Sequence, residues 1–514
     1  MNAGAFQVVW FKRDLRVIDH APLAEAARCG PVLPLYVIEP GLWAQPDASG
    51  RQWAFVRESL LALREALAAR GAPLVVREGE MLPLLQRLRR RHGPFTLWSH
   101  QETGNDWTFA RDRAVAAWCA GEGLRWEERR QQGVVRALAT RDGWARQWQA
   151  LMAEPCATLP ARLQPLAGVL PGEIPDWPTG LAEDPCPGRQ AGGRAAAEAT
   201  LHSFLYERGA AYPRALSSPL TAEQGCSRLS PHLAWGTLSM REVLQAAVAR
   251  KAALTAAEHS TWGRSLNAFI GRLHWHCHFI QKLETAPRLE FDNTHPAYDG
   301  LRPDVPDPQR FQAWCEGRTG WPFVDACQAF LAHHGWLNFR MRAMLMAVAS
   351  YTLWLHWRAP ALFLARRFVD YEPGIHYPQA QMQSGVTGIN TIRIYNAIKQ
   401  GQDHDPQGRF IRTWVPALRG VPDERVHMPW KLGAGEQRRF CPDYPAPLLD
   451  LTAANREARD RVWAVRRGEG FGQMADAIQE RHGSRKSGLP SGGARRSPKP
   501  KSAADPQIPM SFDE

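Results

Sequence analysis

In the first quarter of the chain, short apolar runs at Phe6–Phe11, Val32–Ile38, 74–76 and 95–98 alternate with two longer stretches, 52–69 and Asp106–Gly121, that read as helices. Short runs that stay apolar throughout suit strands covered on both faces. Their alternation with helices predicts a doubly wound parallel α/β sheet over residues 1–131. Between 132 and 194 the pattern breaks: prolines recur at 160, 165, 171, 175, 178, 185 and 187, neither period 2 nor period 3.6 persists, and the stretch reads as an interdomain linker. From 195 to 470 long amphipathic stretches separated by turns predict an all-α domain. Residues 471–514 read as a disordered basic tail. Within them, 481–501 is rich in Ser, Gly, Pro, Lys and Arg and cannot bury enough apolar surface to offset the entropy of ordering.

A length of 514 residues agrees with two folded domains plus extensions. Lys and Arg outnumber Asp and Glu by 63 to 51, a formal charge of +12, which favours a polyanionic partner such as nucleic acid over the alternative of a basic surface that binds nothing. Nine cysteines stand singly with no CxxC pair, so no zinc or cluster site is expected and the thiols read as reduced. With no signal-like N-terminus and no spanning segment, the expectation is a cytoplasmic protein, away from membranes and monomeric. The 21 tryptophans suit core packing, base stacking or electron hopping, and composition does not choose among them.

Three segments carry candidate chemistry. Val9-Trp10-Phe11-Lys12-Arg13-Asp14-Leu15-Arg16, followed by Asp19, is a strand ending in charges, where open α/β sheets hold ligands. No GxGxxG follows it, which excludes a Rossmann dinucleotide site there. In Gly225-Cys226-Ser227-Arg228-Leu229-Ser230-Pro231-His232-Leu233-Ala234-Trp235-Gly236, Ser230 and Pro231 read as a helix cap and its first residue, where hydroxyls and free N–H groups meet a phosphate. The third segment runs Trp314-x-x-Gly317-x-Thr319-Gly320-Trp321-Pro322-x-Val324-Asp325-Ala326, then Gly335-Trp336 to Arg340 and Arg342, then Trp357-Arg358 and Asp370.

In this order the segments resemble the VWFR-x-DLR-x-x-D, SRLSP-x-L-x-x-G, W-x-x-G-x-TG-x-P-x-VDA, GW-x-x-x-R-x-R and WR…D elements of the DNA photolyase/cryptochrome family. Arg393-Ile394-Tyr395-Asn396 and Phe410 to Leu418 extend the likeness over residues 6–420 apart from the linker. The resemblance implies FAD in the helical domain and a second, light-harvesting chromophore of folate or deazaflavin type on the α/β domain, where Glu102 and Asn105 would face it unless they belong to a plain surface loop. It implies FAD contacts from Tyr212, Ser227, Leu229, Ser230 and Arg272, with Cys226 where Thr is usual. Arg342 and Asp370 match an ion pair beside the flavin ring, the alternative being a purely structural salt bridge. Glu372 matches an acid on the ribose and pyrimidine side, and His376 matches the position facing flavin N5 unless it is a core histidine. Trp357 matches the middle member of an electron-transfer triad.

The pattern breaks where relatives that repair cyclobutane dimers hold their lesion. Ala268 and Gly271 stand for the Glu and Trp of E-x-x-WRE-F, Phe339 and Ala343 for Asn and Met, and Ala380, Gln381 and Met382 fill the place of WQW. Ala380 removes the flavin-proximal Trp, leaving an electron route through Trp354 or Trp336 open. His274, Trp275, His276 and His278 enrich the pocket helix in groups that hydrogen-bond or protonate a base, against the alternative of a solvated helix face. A zinc pair of His274 and His278 lacks a third ligand at suitable spacing. Gln379, Gln381 and Gln383 add base-reading amides. The expected lesion contacts are His274, His278, Phe339, Gln381 and Met382. Arg87 and Arg89–Arg91 form a cationic helix end suited to phosphate or to simple capping. Gln507-Ile508-Pro509-Met510-Ser511-Phe512 resembles the Q-x-x-[LM]-x-F peptide that docks on the bacterial sliding clamp. The reading as a whole is a deoxyribodipyrimidine photo-lyase, a carbon–carbon lyase acting on damaged DNA through reduced, photoexcited FAD, with a cryptochrome-like photoreceptor as the alternative.

Overall fold

The structure is a computed structural model and describes residues 6–484. Five parallel strands, β1 (Phe6–Phe11), β2 (Val32–Ile38), β3 (Val75–Glu78), β4 (Phe95–His100) and β5 (Arg125–Arg129), lie in the order β3-β2-β1-β4-β5. All six residues of β1 are buried. Val9 and Phe11 enter the core on one face of the sheet, and Phe6, Val8 and Trp10 the core on the other, which is why the strand reads as an apolar run interrupted only by Gln7, whose buried Oε1 accepts from Trp98 Nε1. Strand order reverses at β1, and the crevice beyond its carboxyl end receives Lys12, Arg13, Glu39 and Glu102.

The helices that frame the site are α1 (Gly50–Ala68), α2 (Asp106–Gly121), α3 (Trp144–Ala153), α4 (Ser230–Ala234), α5 (Ala256–Thr285), α6 (Phe339–Ala347), α7 (Arg358–Arg367), α8 (Pro373–Ser384) and α9 (Phe471–His482). The longest, α5, opens on a capping box in which Thr255 and Glu258 satisfy each other's backbone N–H. It buries Leu266, Phe269, Leu273, Cys277 and Ile280 at three- and four-residue spacing, leaving a second face for the site.

Two boundaries differ from those expected. The 132–194 stretch contains α3, whose Trp144, Trp148 and Met152 join Phe269, Leu273 and Cys277 in one core. Farther on it is pinned to the sheet, where Val32 and Val76 N–H donate to the carbonyls of Gln164 and Pro171, so it is a folded strap. The expected tail contains α9, where Phe471 stacks on His295 at 4.0 Å and His482 is buried. The fold therefore runs past 470 to at least 484. Residues 485–514, with Gln507–Phe512, lie outside the described residues. No helix among the described residues is long and apolar enough to cross a membrane.

The domains meet tightly at the end of β1. Leu15 N–H donates to Trp235 O, Arg13 Nε to Ala234 O, and the Arg13 guanidinium lies 4.4 Å over the Trp235 ring. Gly236 turns there with φ +67°, and a Cβ on it would collide with Arg13 O and fall 2.5 Å from Asp14 Cα. Gly236→Ala is therefore expected to destabilise the fold by about 2 kcal/mol, the scale of a strained left-handed residue. The check is the denaturant midpoint, and an unchanged midpoint would show that this contact is dispensable.

Candidate functional site

A cavity of about 690 Å³ opens between α5, α6, α8 and α9, within the range of small-molecule and cofactor sites. Arg342 on α6 donates from Nη2 to Asp370 Oδ2 at 2.7 Å and from Nε to Leu337 O at 2.6 Å, while its guanidinium lies 3.9 Å over the Phe368 ring. The Asp370 side chain is 2% exposed, and its other oxygen, Oδ1, is buried with no hydrogen-bond donor. Asn338 Oδ1 and Gln379 Oε1, on the same wall, are also unmatched. Buried acceptors left open around one cavity mark where a ligand's N–H or O–H groups are due.

The charges have one sign. Among the described residues, Arg228, Arg272, Lys282, Arg342 and Arg393 line the cavity against a single carboxylate, Asp370. Tyr212, Ser227 and Ser230 add hydroxyls at one end. Burial pushes the Tyr212 phenol up to about 12, so it remains a donor. This end differs from expectation in one detail. The helix begins at Ser230 with Leu229 as its cap residue, so Ser230 is the first helical residue.

Burial sets the protonation of the histidines. His376 falls to about 4, chiefly by desolvation with Arg342 adding to it, and its Nε2–H donates to Ala361 O at 2.8 Å. His276 falls to about 4 by burial and Arg13, and His278 falls well below its ordinary value by burial and Lys282. Lys282 falls to about 7 through burial and Arg141. At neutral pH these imidazoles are uncharged hydrogen-bonding groups.

Of the residues singled out from sequence, Tyr212, Ser227, Ser230, Arg272, His278, Phe339, Arg342, Asp370, His376 and Met382 line the cavity. Five do not. Leu229 is 1% exposed and packs into the core behind the wall. Glu372 faces the α/β domain, 3.9 Å from Arg13, with burial lifting it to about 7. Trp357 is buried and donates from Nε1 to Asn293 Oδ1 at 2.8 Å. His274 is wedged edge-on between Trp144 at 5.1 Å and Trp148 at 5.0 Å. Gln381 spends its amide on Thr294, Leu289 O and Asp292 O. The reason for His274 is angular: at 100° per residue, 274 falls far round α5 from Arg272, Trp275, His276 and Phe279. Sequence reasoning missed Phe279, Lys282 and the α9 residues Gln479 and His482. Spacing on α5 would have found the first two, since 272, 275, 279 and 282 form one helical stripe.

Glu102 and Asn105 line a smaller cavity, about 60 Å³, at the end of β1 and β4. Ions crowd it: Arg111 contacts Glu39 at 2.8 Å, Glu102 at 2.6 Å and Asp112 at 2.9 Å, and Lys12 contacts Asp112 at 3.1 Å. Nearby, Asp14 Oδ2 takes hydrogen bonds from His20 at 2.9 Å and His100 at 2.7 Å, a buried trio with ligand-like spacing whose hydrogen bonds are already satisfied.

Residues 7–146 match the family model described as DNA photolyase, and residues 269–464 match the FAD binding domain of DNA photolyase. A deoxyribodipyrimidine photo-lyase of Streptomyces griseus is 30% identical over 465 residues, covering 87% of this chain and 97% of that one. The chain belongs to the DNA photolyase/cryptochrome family. A cryptochrome DASH of Gloeobacter violaceus is 28% identical over 494 residues, 89% and 96% of the two chains. The structure of a bacterial class III photolyase from Agrobacterium tumefaciens superposes with a TM-score of 0.78 at 25% identity, covering 91% of this chain and 99% of that one. The parallel sheet with a helical FAD-binding domain is thus the family architecture. The cavity's residues fit the cofactor: hydroxyls and cations for a diphosphate, an ion pair with an open acceptor for a polar ring.

Proposed function

We propose that this photolyase-family chain repairs pyrimidine dimers in DNA under light, as a deoxyribodipyrimidine photo-lyase. The observation that carries the proposal is the cavity face of α5. Trp275 and Phe279 stand one turn apart with ring centroids 5.9 Å apart and a tilt of 35°, flanked by Arg272 and Lys282 on the same wall. An aromatic platform with Lys282 beside it suits a base turned out of its stack with its phosphate near the ammonium, Arg272 being left to the cofactor. Gly271 is exposed, with nothing within 4 Å of a Cβ, so the tryptophan usual there is replaced by room for the lesion to approach Trp275.

When bound and reduced, FAD supplies an electron on absorbing light. Tyr212, Ser227, Ser230 and Arg272 would hold its phosphates, and Arg342, fixed by Asp370, would offer a positive charge to the ring. Neutral His376 offers an uncharged imidazole at the cavity wall. Phe339, Met382 and His278 border the lesion side. A second chromophore would sit by Glu102 and Asn105, in the crevice that Arg111 and its three carboxylates border. Nine free cysteines favour a reducing compartment, the cytoplasm. The resemblance of Gln507–Phe512 to the docking peptide supports a chain, acting as a monomer, tethered to the sliding clamp. Deleting 507–512 is expected to abolish clamp pull-down and leave repair of free oligonucleotides unchanged.

The deciding experiment is blue-light turnover by photoreduced, FAD-loaded protein on cyclobutane-dimer and (6-4) oligonucleotides, each single- and double-stranded. Turnover on either supports repair. No turnover, with intact flavin photoreduction, supports a cryptochrome-like photoreceptor, a reading favoured by the altered Ala268, Gly271, Phe339, Ala343 and Ala380 positions. Lys282 adds a pH signature. Its folded-state pKa lies below the ordinary 10.5, so the unfolded chain binds more protons between about 7 and 10.5 and stability rises with pH there. Oligonucleotide affinity runs the other way, falling about tenfold as the ammonium is lost above pH 7, roughly 1.4 kcal/mol for one charge-assisted contact. Anisotropy titrations across pH test this, with Lys282→Met expected to flatten the profile and an unflattened one counting against the contact.

A further inference from the structure

Behind the cavity wall two tyrosines share one carboxylate oxygen. Tyr371 OH donates to Asp47 Oδ2 at 2.6 Å and Tyr377 OH to the same atom at 3.3 Å. All three residues are buried, at 5%, 0% and 3% exposure for Tyr371, Tyr377 and Asp47. Both phenol rings lie against His376, which lines the cavity, at 5.3 Å for Tyr371 and 5.6 Å for Tyr377. Trp357 lies one ring farther from His376, 6.4 Å from Tyr377. Ala380, where the family's flavin-proximal tryptophan would stand, lines the cavity with no ring to offer.

A phenol that loses an electron becomes a strong acid, so a buried tyrosine is an accessible donor only where a base can take its proton at once. Asp47 is such a base, within hydrogen-bonding reach and contributed by the other domain. Its carboxylate is itself fixed by Asn105 Nδ2, at 3.2 Å to Oδ1 and 3.1 Å to Oδ2. Burial, followed by the Asp47 charge, pushes both phenols up, so neither ionises before it is oxidised.

We propose that Tyr371, with Tyr377 as its partner and Asp47 as proton acceptor, is the electron donor that photoreduces oxidised flavin in this chain. In the step, the Tyr371 O–H bond breaks. The electron goes to photoexcited oxidised flavin, the oxidant, and the proton passes along the 2.6 Å hydrogen bond to Asp47 Oδ2. Tyr371 becomes a neutral phenoxyl and Asp47 a carboxylic acid. The negative charge that Asp47 loses reappears in the cavity, beside Arg342. The hole then exchanges with Tyr377, 6.3 Å away: an electron passes from Tyr377 to the Tyr371 phenoxyl, the Tyr377 proton goes to Asp47 Oδ2, and Asp47 returns its first proton to Tyr371, so one neutral phenoxyl and one protonated Asp47 remain.

The test uses FAD-loaded, oxidised, full-length protein without DNA, so it is independent of whether any lesion is repaired. A blue flash is followed by transient absorption and by electron paramagnetic resonance of samples frozen under light, in H2O and D2O. The expected result is a neutral tyrosyl signature whose formation slows in D2O. Tyr371→Phe should lose that signature or pass it to Tyr377, Tyr371→Phe/Tyr377→Phe should lose it entirely, and Asp47→Asn should lose the isotope effect. A tryptophan radical as the first species in wild-type protein, with the same rate in both solvents, overturns the proposal. That wild-type comparison decides even if a variant fails to retain flavin.

Discussion

Asp370→Asn is expected to weaken FAD binding by about a hundredfold, the largest effect of any single change in the cavity. Asp370 is nearly inaccessible and holds Arg342 at 2.7 Å, and among the described residues no other carboxylate lines the cavity. Substituting Asn keeps the shape and removes the charge, leaving the guanidinium uncompensated among Phe368, Leu337 and the ligand. Breaking one side of a buried pair costs about 3–5 kcal/mol when both ions are inaccessible. Arg342 is 25% exposed, so water relieves most of that cost in the flavin-free protein and the cost falls on the bound state, where the ligand covers the guanidinium; a differential of about 2.7 kcal/mol is a hundredfold in Kd. The converse change, Arg342→Ala, should be worse for the fold, because both oxygens of buried Asp370 would then lack a donor. Titration of flavin-free protein with FAD, followed by fluorescence quenching, gives the number directly. Unchanged affinity and an unchanged reduced-flavin spectrum in Asp370→Asn would leave the pair as a structural salt bridge.

How much of this arrangement could be read in the chain depends on where each segment lies. β1, β2 and β4 were legible because both faces are covered and most of their residues are apolar, with only Gln7 in β1 and Thr96, Ser99 and His100 in β4 as exceptions. β5 was not: Arg125-Trp126-Glu127-Glu128-Arg129 is an edge strand with charged, half-exposed side chains, which protects the sheet from further pairing and erases the apolar signal. α3 was hidden in proline-rich surroundings, and α9 by its place just before a basic, Gly- and Ser-rich stretch, although Phe471 and Ile478 already sat at helical spacing.

The motifs supplied addresses without directions. Arg342, Asp370 and His376 line the cavity, whereas Glu372 and Trp357, equally well matched, point to the domain interface and the core. Gln381 and Met382 are neighbours on α8, yet only Met382 lines the cavity, since successive helical residues diverge by 100°. The Tyr371–Asp47–Tyr377 cluster was invisible for another reason. It joins residues 324 positions apart, and no local pattern marks a hydrogen bond that forms only when two domains dock.

Trp275→Ala is expected to cut affinity for lesion-bearing oligonucleotide by about 10- to 100-fold while leaving FAD content and photoreduction unchanged. Stacking a base on an aromatic ring is worth about 1–3 kcal/mol, and Trp275 with Phe279 is the tilted aromatic pair on the cavity face of α5. The effect should separate from charge. Loss of Lys282 weakens damaged and undamaged strands alike and reduces the salt dependence, whereas loss of Trp275 acts on the lesion and leaves the salt slope intact. Position 271 offers a rescue, because it lies one turn before Trp275 on the same side of α5 and has open space where its Cβ would be. Gly271→Trp in the Trp275→Ala background puts an indole one turn up the helix, where relatives that repair cyclobutane dimers carry theirs. If Trp275 is the platform, that double variant should regain lesion affinity with a shifted preference among lesions. If neither variant changes lesion binding, the aromatic pair is core packing at the cavity rim, and recognition must rest on Phe339 and Met382 across the cavity.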